Sequence, residues 1–118
     1  MPTAVWNGSL DEGKGTMRLA SGAYEGEFSK YSRFENAPGT NPEELLGAAH
    51  AGCFSQFLAA ILTDAGHTPT RISTSAKVHL APGPKIKLIE LTTVGEVPGV
   101  DAATFLEFEV QCGTSQTV

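Results

Sequence analysis

The chain carries two thiols, Cys53 and Cys112, and three arginines, Arg18, Arg33 and Arg71. A thiol becomes a strong nucleophile at neutral pH only where a nearby cation favours its thiolate. Cys53 falls in the middle of a long predicted helix, where the helix dipole gives it no help and burial would keep it protonated. An activating cation must therefore come from another segment. Arg33 stands in the segment leading into that helix, and Glu43 in the helix's first turn. Each residue also has a plain structural reading: Cys53 as a small buried hydrophobe, Cys112 as an unreactive thiol, Arg33 as a solvated charge, Glu43 as a first-turn acid. His50, three residues before Cys53, could meet it across a helix face and act as a base for acyl transfer, or serve as a core or interface histidine.

Other chemistries lack their motifs. The sequence has no phosphate-binding G-x-x-x-x-G-K-[ST], no G-x-G-x-x-G, no H-E-x-x-H and no G-x-S-x-G. His50, His67 and His79 do not stand at zinc-ligand spacing with the two cysteines, so neither a metal nor an organic cofactor is expected.

These residues are positioned by a simple series of elements. Short alternating runs punctuated by Gly, Asn and Asp predict a meander of strands at Thr3–Trp6, Gly15–Leu19 and Ala23–Phe28. Residues 29–41 read as a loop. Asn41 is a good N-cap, Pro42 suits the first helical position, and Glu44 stands at capping-box spacing. The helix is expected to run to Ala65 and to stop at Gly66, with Pro69 beyond. Its apolar residues cover nearly the whole circumference, which predicts burial all round, and Gly47 and Gly52 suggest close approach of another backbone. Two strands follow, Arg71–Leu80 with Ile72, Thr74, Ala76, Val78 and Leu80 inward, and Lys85–Val97, which alternates with Ile86 and Leu88 and then slips register through Ile89 and Leu91. Asp101 or Thr104 then caps a second helix, favoured over a strand although Leu106, Phe108 and Val110 alternate with Glu107 and Glu109. The last six residues offer no further strand. The fold class is α+β, antiparallel sheets around a long central helix, in one domain over residues 1–118.

The segment Arg33-Phe34-Glu35, followed by Gly39-Thr40-Asn41-Pro42-Glu43-Glu44-Leu45-Leu46-Gly47-Ala48-Ala49-His50-Ala51-Gly52-Cys53-Phe54-Ser55, closely resembles the OsmC/Ohr family of thiol-dependent peroxidases. Thr68-Pro69-Thr70 and Val97-Pro98-Gly99-Val100-Asp101-Ala102-Ala103-Thr104-Phe105 extend the likeness over most of residues 1–105, and the Arg33-Phe34 placement resembles the OsmC branch. The resemblance implies an intertwined homodimer that reduces organic hydroperoxides. It implies Cys53 as the peroxidatic thiol, Cys112 as the resolving one, Arg33 as the activating cation, Glu43 as its partner, and a dithiol reductant of lipoyl type. Phe34, Phe54 and Phe57 would give an alkyl group an apolar approach. One departure stands out: the family's second cysteine is followed by Pro-Val-Ser and a last strand, whereas Cys112 is followed by Gly113-Thr114-Ser115. A rival reading is a non-catalytic dimeric stress-response or binding protein of the same fold, which would have no reason to hold Arg33, Glu43, Cys53 and Cys112 together.

Composition bounds the partners. The 118 residues carry 13 Asp+Glu against 8 Lys+Arg, a formal net charge of −5, which argues against nucleic acid or an anionic membrane surface. Two cysteines are too few for a disulfide scaffold, and the N-terminus has no basic and apolar leader, so a reducing cytoplasm is expected. Leu45–Thr63 lacks a charged side chain, but His50, Ser55, Gln56 and five alanines make it a soluble protein's helix rather than a membrane span.

Helix arithmetic adds a constraint. Glu43 and Cys53 are ten residues apart, about 15 Å along a straight helix, while an arginine side chain reaches only about 6–7 Å. With no proline in the interior to kink the helix, the expected solution is a composite site, Arg33 and Glu43 of one protomer serving Cys53 of the other. A heterodimer with Arg33→Ala on one chain and Cys53→Ser on the other should then keep about half of wild-type activity, because one of two symmetric sites retains both groups. Sites contained within single chains would leave it nearly inactive.

Overall fold

The computed structural model describes residues 1–34 and 38–112. The N-terminal alternating runs form three antiparallel strands, β1 (Thr3–Asn7), β2 (Lys14–Arg18) and β3 (Glu25–Phe28), in the order β1-β2-β3. The register sets Trp6 opposite Gly15, and Gly15 opposite Phe28, so the three share one row on one face. A Cβ at Gly15 would collide with both rings. Its absence lets Trp6 and Phe28 close over the middle strand as a tilted pair, centroids 5.5 Å apart.

Residues 29–41, expected to be a loop, contain a short helix, α1 (Lys30–Phe34). Its start is a reciprocal cap: the Ser32 N–H donates to Ser29 Oγ at 3.1 Å, and the Ser29 N–H donates to Ser32 Oγ at 2.8 Å. A serine thus fills the place that Glu or Gln takes in a capping box. Glu35, named with Arg33 and Phe34 in the sequence motif, lies outside the described residues.

The long helix α2 (Pro42–Asp64) begins as expected, with the Glu44 N–H donating to Asn41 Oδ1 at 2.7 Å. The returning arm differs from a capping box, since the Glu44 carboxylate accepts from the Thr40 hydroxyl at 2.7 Å. At the other end Gly66 has φ +88°, a left-handed conformation that costs glycine least. The Gly66 N–H reaches the Thr63 carbonyl at 3.0 Å and the His67 N–H that of Leu62 at 2.8 Å, a complete Schellman stop.

The chain divides into two compact units, Met1–Leu46 and Gly47–Val118. In the second, β4 (Arg71–Ala81) and β5 (Lys85–Glu96) form an antiparallel hairpin, and α3 (Ala102–Gln111) is capped by Asp101, whose carboxylate accepts from the Thr104 N–H at 2.8 Å. That bond lowers the Asp101 pKa. The core joins Phe54, Leu58 and Leu62 of α2 to Cys112, with Ile72, Leu91, Phe105 and Phe108 packed against it. Ser55 Oγ also donates to Thr74 Oγ1 of β4 at 2.6 Å.

Three packing expectations are corrected here. Only one stripe of α2 is buried, Gly47, Ala51, Phe54, Leu58 and Leu62, because β4, β5 and α3 cover one side of a helix that is apolar on every side. Gly47 does meet a close neighbour, a Cβ there lying 3.1 Å from Val78, whereas nothing stands within 4 Å of a Cβ at Gly52. In the hairpin, Leu80 is exposed beyond a register shift between His79 and Leu80, and β5 turns Ile89 and Leu91 inward, leaving Ile86 and Leu88 exposed on its other face.

Leu58 is fully buried. Leu58→Ala should lower the unfolding free energy by about 2–5 kcal/mol through lost transfer energy and a cavity. Phe57→Ala, one position away on the exposed side, should cost well under half as much. Equal costs in urea titrations would contradict the one-sided packing of α2.

Candidate functional site

The hydroxyl-rich cap of α1 does more than start a helix. Ser32 is buried, and its hydroxyl donates to the Thr40 carbonyl at 2.8 Å. Asn41 Nδ2 donates to the Ser32 carbonyl at 3.2 Å, and the Thr40 N–H to the Glu27 carbonyl at 3.0 Å. The end of β3, the short helix α1 and the start of α2 are thereby tied at one point. Arg33 follows Ser32 on α1, and Glu43 follows Asn41 and Pro42 on α2, so the tie sets a guanidinium beside a carboxylate.

Arg33 Nε donates to both Glu43 oxygens, at 2.9 and 3.0 Å, and Nη2 donates to Oε1 as well. The side chains are 29 % and 12 % exposed, so water screens the pair only in part. Glu43 also occupies the first turn of α2, where the helix dipole stabilises its charge. The guanidinium lies over the Phe34 ring, 5.1 Å from its centroid. Glu43 engages only the Nε–Nη2 edge. A guanidinium has five donors, more than Glu43 takes up. The Arg33–Glu43 partnership implied by the family resemblance matches this geometry. What it missed is the Ser29, Ser32, Thr40 and Asn41 scaffold, whose only signal was two serines at capping distance before a second N-cap.

The thiols lie in the second unit, and Cys53 reverses its expected burial. Cys53, expected inside a buried helix, is exposed, because its side of α2 is the one no other element covers. Cys112, one residue past α3, is 2 % exposed and packs with Phe54, Leu58 and Leu62. Both are reduced. Burial, reinforced by the Glu109 carboxylate one turn back, pushes the Cys112 thiol up from its ordinary range, and burial raises Glu109 itself. Of the phenylalanines expected to form an apolar approach, Phe54 is core, while Phe34 and Phe57 are about half exposed. His50 is half-buried on α2. The segment after Cys112, where the sequence departs from the family's motif, lies outside the described residues.

Comparison with known proteins identifies the family. The sequence model of a family described as OsmC-like protein matches residues 34–116. Peroxiredoxin OsmC of Escherichia coli (strain K12) is 47 % identical over 106 residues, which cover 86 % of this chain and 74 % of that protein. The Shigella flexneri protein of the same name matches to the same extent. Among solved structures, the organic hydroperoxide resistance protein OhrB of Bacillus subtilis superposes with a TM-score of 0.67 at 19 % identity, over 95 % of this chain and 82 % of its own. An organic hydroperoxide resistance protein OsmC from Legionella pneumophila gives 0.68 at 16 %, over 95 % and 81 %. These two likenesses concern the fold.

The burial contrast has a direct consequence for thiol reactivity. At pH 8 a water-soluble disulfide reagent should modify Cys53 at least about tenfold faster than Cys112, and denaturant should erase the difference, because exposure and thiolate fraction both favour Cys53. Equal rates in the folded protein, read by mass spectrometry, would contradict the structure's placement of Cys112.

Proposed function

The chain belongs to the OsmC-like protein family, and on that premise we propose that it is a soluble, cytoplasmic cysteine-based peroxidase that reduces organic hydroperoxides to alcohols as a homodimer. The observation that carries the reading is the Arg33 fork fixed on Glu43, in a chain whose exposed Cys53 stands where the family motif has its reactive thiol. Glu43 takes up two donors and orients the guanidinium. Arg33 keeps donors and charge for a thiolate and for a peroxide oxygen.

The chemistry balances with these groups and one reductant. The Cys53 thiolate attacks the terminal peroxide oxygen, the O–O bond breaks, and the alkoxide leaves and takes a proton from water to become the alcohol. Cys53 is left as a sulfenic acid. The Cys112 thiol then attacks the sulfenic sulfur, forming a disulfide and releasing water. A dithiol reductant, for which lipoyl-type molecules are the reading drawn from the family resemblance, returns both cysteines to thiols by exchange and leaves as its own disulfide. The exposure of Cys53 suits a first encounter with substrate. The burial and raised pKa of Cys112 suit a thiol that stays protonated and does not itself consume peroxide.

Peroxide consumption with a dithiol as reductant tests the reading. An aromatic organic hydroperoxide should be turned over faster than hydrogen peroxide, and Cys53→Ser should abolish turnover. Cys112→Ser should complete one turnover and then accumulate over-oxidised Cys53, visible by mass as two added oxygens. Wild-type rates in Cys53→Ser would end the peroxidase reading, and normal cycling in Cys112→Ser would remove Cys112 from it. Arg33→Ala should lower the rate by about two orders of magnitude or more, a size in line with removing one electrostatic stabiliser.

A further inference from the structure

The N-terminal unit holds a concavity of about 280 Å³ whose walls are Trp6, Leu10, Phe28, Phe34 and Pro42, with Arg33 among them. Three of those apolar side chains remain open to solvent, Trp6 at 36 %, Leu10 at 67 % and Phe34 at 53 %. Large apolar groups left exposed around one hollow mark a place for a ligand's apolar part. Here they gather beside the guanidinium whose other edge is committed to Glu43.

We propose that this cavity is an aryl-binding subsite, and that Trp6 is the residue that selects aromatic over small aliphatic hydroperoxides. The proposal rests on the peroxidase reading above and names the substrate class within it. The size suits a substituted ring, since an apolar cavity of about 150 Å³ already takes benzene. The lining is aromatic rather than merely apolar. Trp6 and Phe28 meet at 51° over Gly15, and Phe34 stacks beneath Arg33, so an incoming ring finds both faces and edges to pack on. A tert-butyl group fills less of the space and makes no ring–ring contact. Arg33 is one wall of the same cavity, so a hydroperoxide seated by its aryl group carries its peroxide oxygens to the rim where a cation is waiting.

Trp6 is the only tryptophan in the chain, so its fluorescence reads the cavity without turnover. Titration of the wild-type protein with 2-phenyl-2-propanol, the alcohol left by cumene hydroperoxide, should change the emission saturably, at concentrations about tenfold below those needed with tert-butyl alcohol. In turnover, Trp6→Ala should lower the ratio of kcat/KM for cumene hydroperoxide to that for tert-butyl hydroperoxide about tenfold, and Trp6→Phe, which keeps a ring, should restore most of it. An emission indifferent to the aryl alcohol overturns the subsite, as does one that responds only to protein concentration, which would make a second copy of the chain the occupant. An unchanged ratio in Trp6→Ala overturns Trp6 as the selecting residue. If the wild-type protein consumes neither peroxide, the peroxidase reading fails, and the titration still decides whether the cavity takes aryl groups.

Discussion

The second unit is organised by one demand, that α2 bury the stripe formed by Gly47, Ala51, Phe54, Leu58 and Leu62. Glycine and alanine at the N-terminal end of that stripe let Val78 and Ala76 of β4 come close, while the larger residues beyond fill the space beneath α3. The hairpin and the last helix are marginal elements alone. A two-stranded sheet is rarely stable in water, and neither is a helix of ten residues. They persist because each covers a share of the same stripe, with Ile72, Leu91, Phe105 and Phe108 closing around Leu58 and Leu62. Full burial of a leucine contributes about 1.5–3 kcal/mol, so these two side chains weigh heavily against the few kcal/mol by which such a domain is stable.

The first unit obeys a different constraint, a polar one. Ser29, Ser32, Thr40 and Asn41 satisfy the backbone groups left open where β3 ends, α1 starts and α2 starts. Hydrogen bonds of this kind each contribute little net energy, but leaving their groups buried and unmade would cost more. Their effect is therefore on geometry. They fix where Arg33 and Glu43 stand relative to one another, and the bidentate pair follows.

Elements with strong local signals were legible in the sequence. The N-cap at Asn41, the stop at Gly66, the meander and the hairpin all follow from turn and cap chemistry, and the OsmC-like pattern around Cys53 identified the family. The Arg33–Glu43 pair was legible through the family resemblance, not through spacing, which alone made Glu43 a first-turn acid. Burial was not readable. An all-round apolar helix says how much surface seeks cover, but not which neighbours the chain itself can supply. Cys53 was misplaced for that reason, by facing the exposed side of α2. Leu80 was misplaced by a one-residue register shift, which period-two reasoning carries to the wrong face.

The position of Cys112 at the end of α3 also has a dynamic consequence. Its N–H closes the helix on the carbonyls of Glu109 and Val110, and its side chain is sealed against Phe54, Leu58 and Leu62. Bringing the sulfur to solvent therefore breaks the last turn and uncovers core surface together. Such an event is a local unfolding equilibrium with its own free energy, smaller than that of the whole domain. The observed rate of any reaction at Cys112 that needs solvent is then the product of the open fraction and the intrinsic rate. Heat, denaturant or a helix-weakening substitution in α3 would tune it, while Cys53, already open to solvent, would scarcely respond. The two thiols of one chain thus run on separate clocks, one set by encounter and the other by fraying.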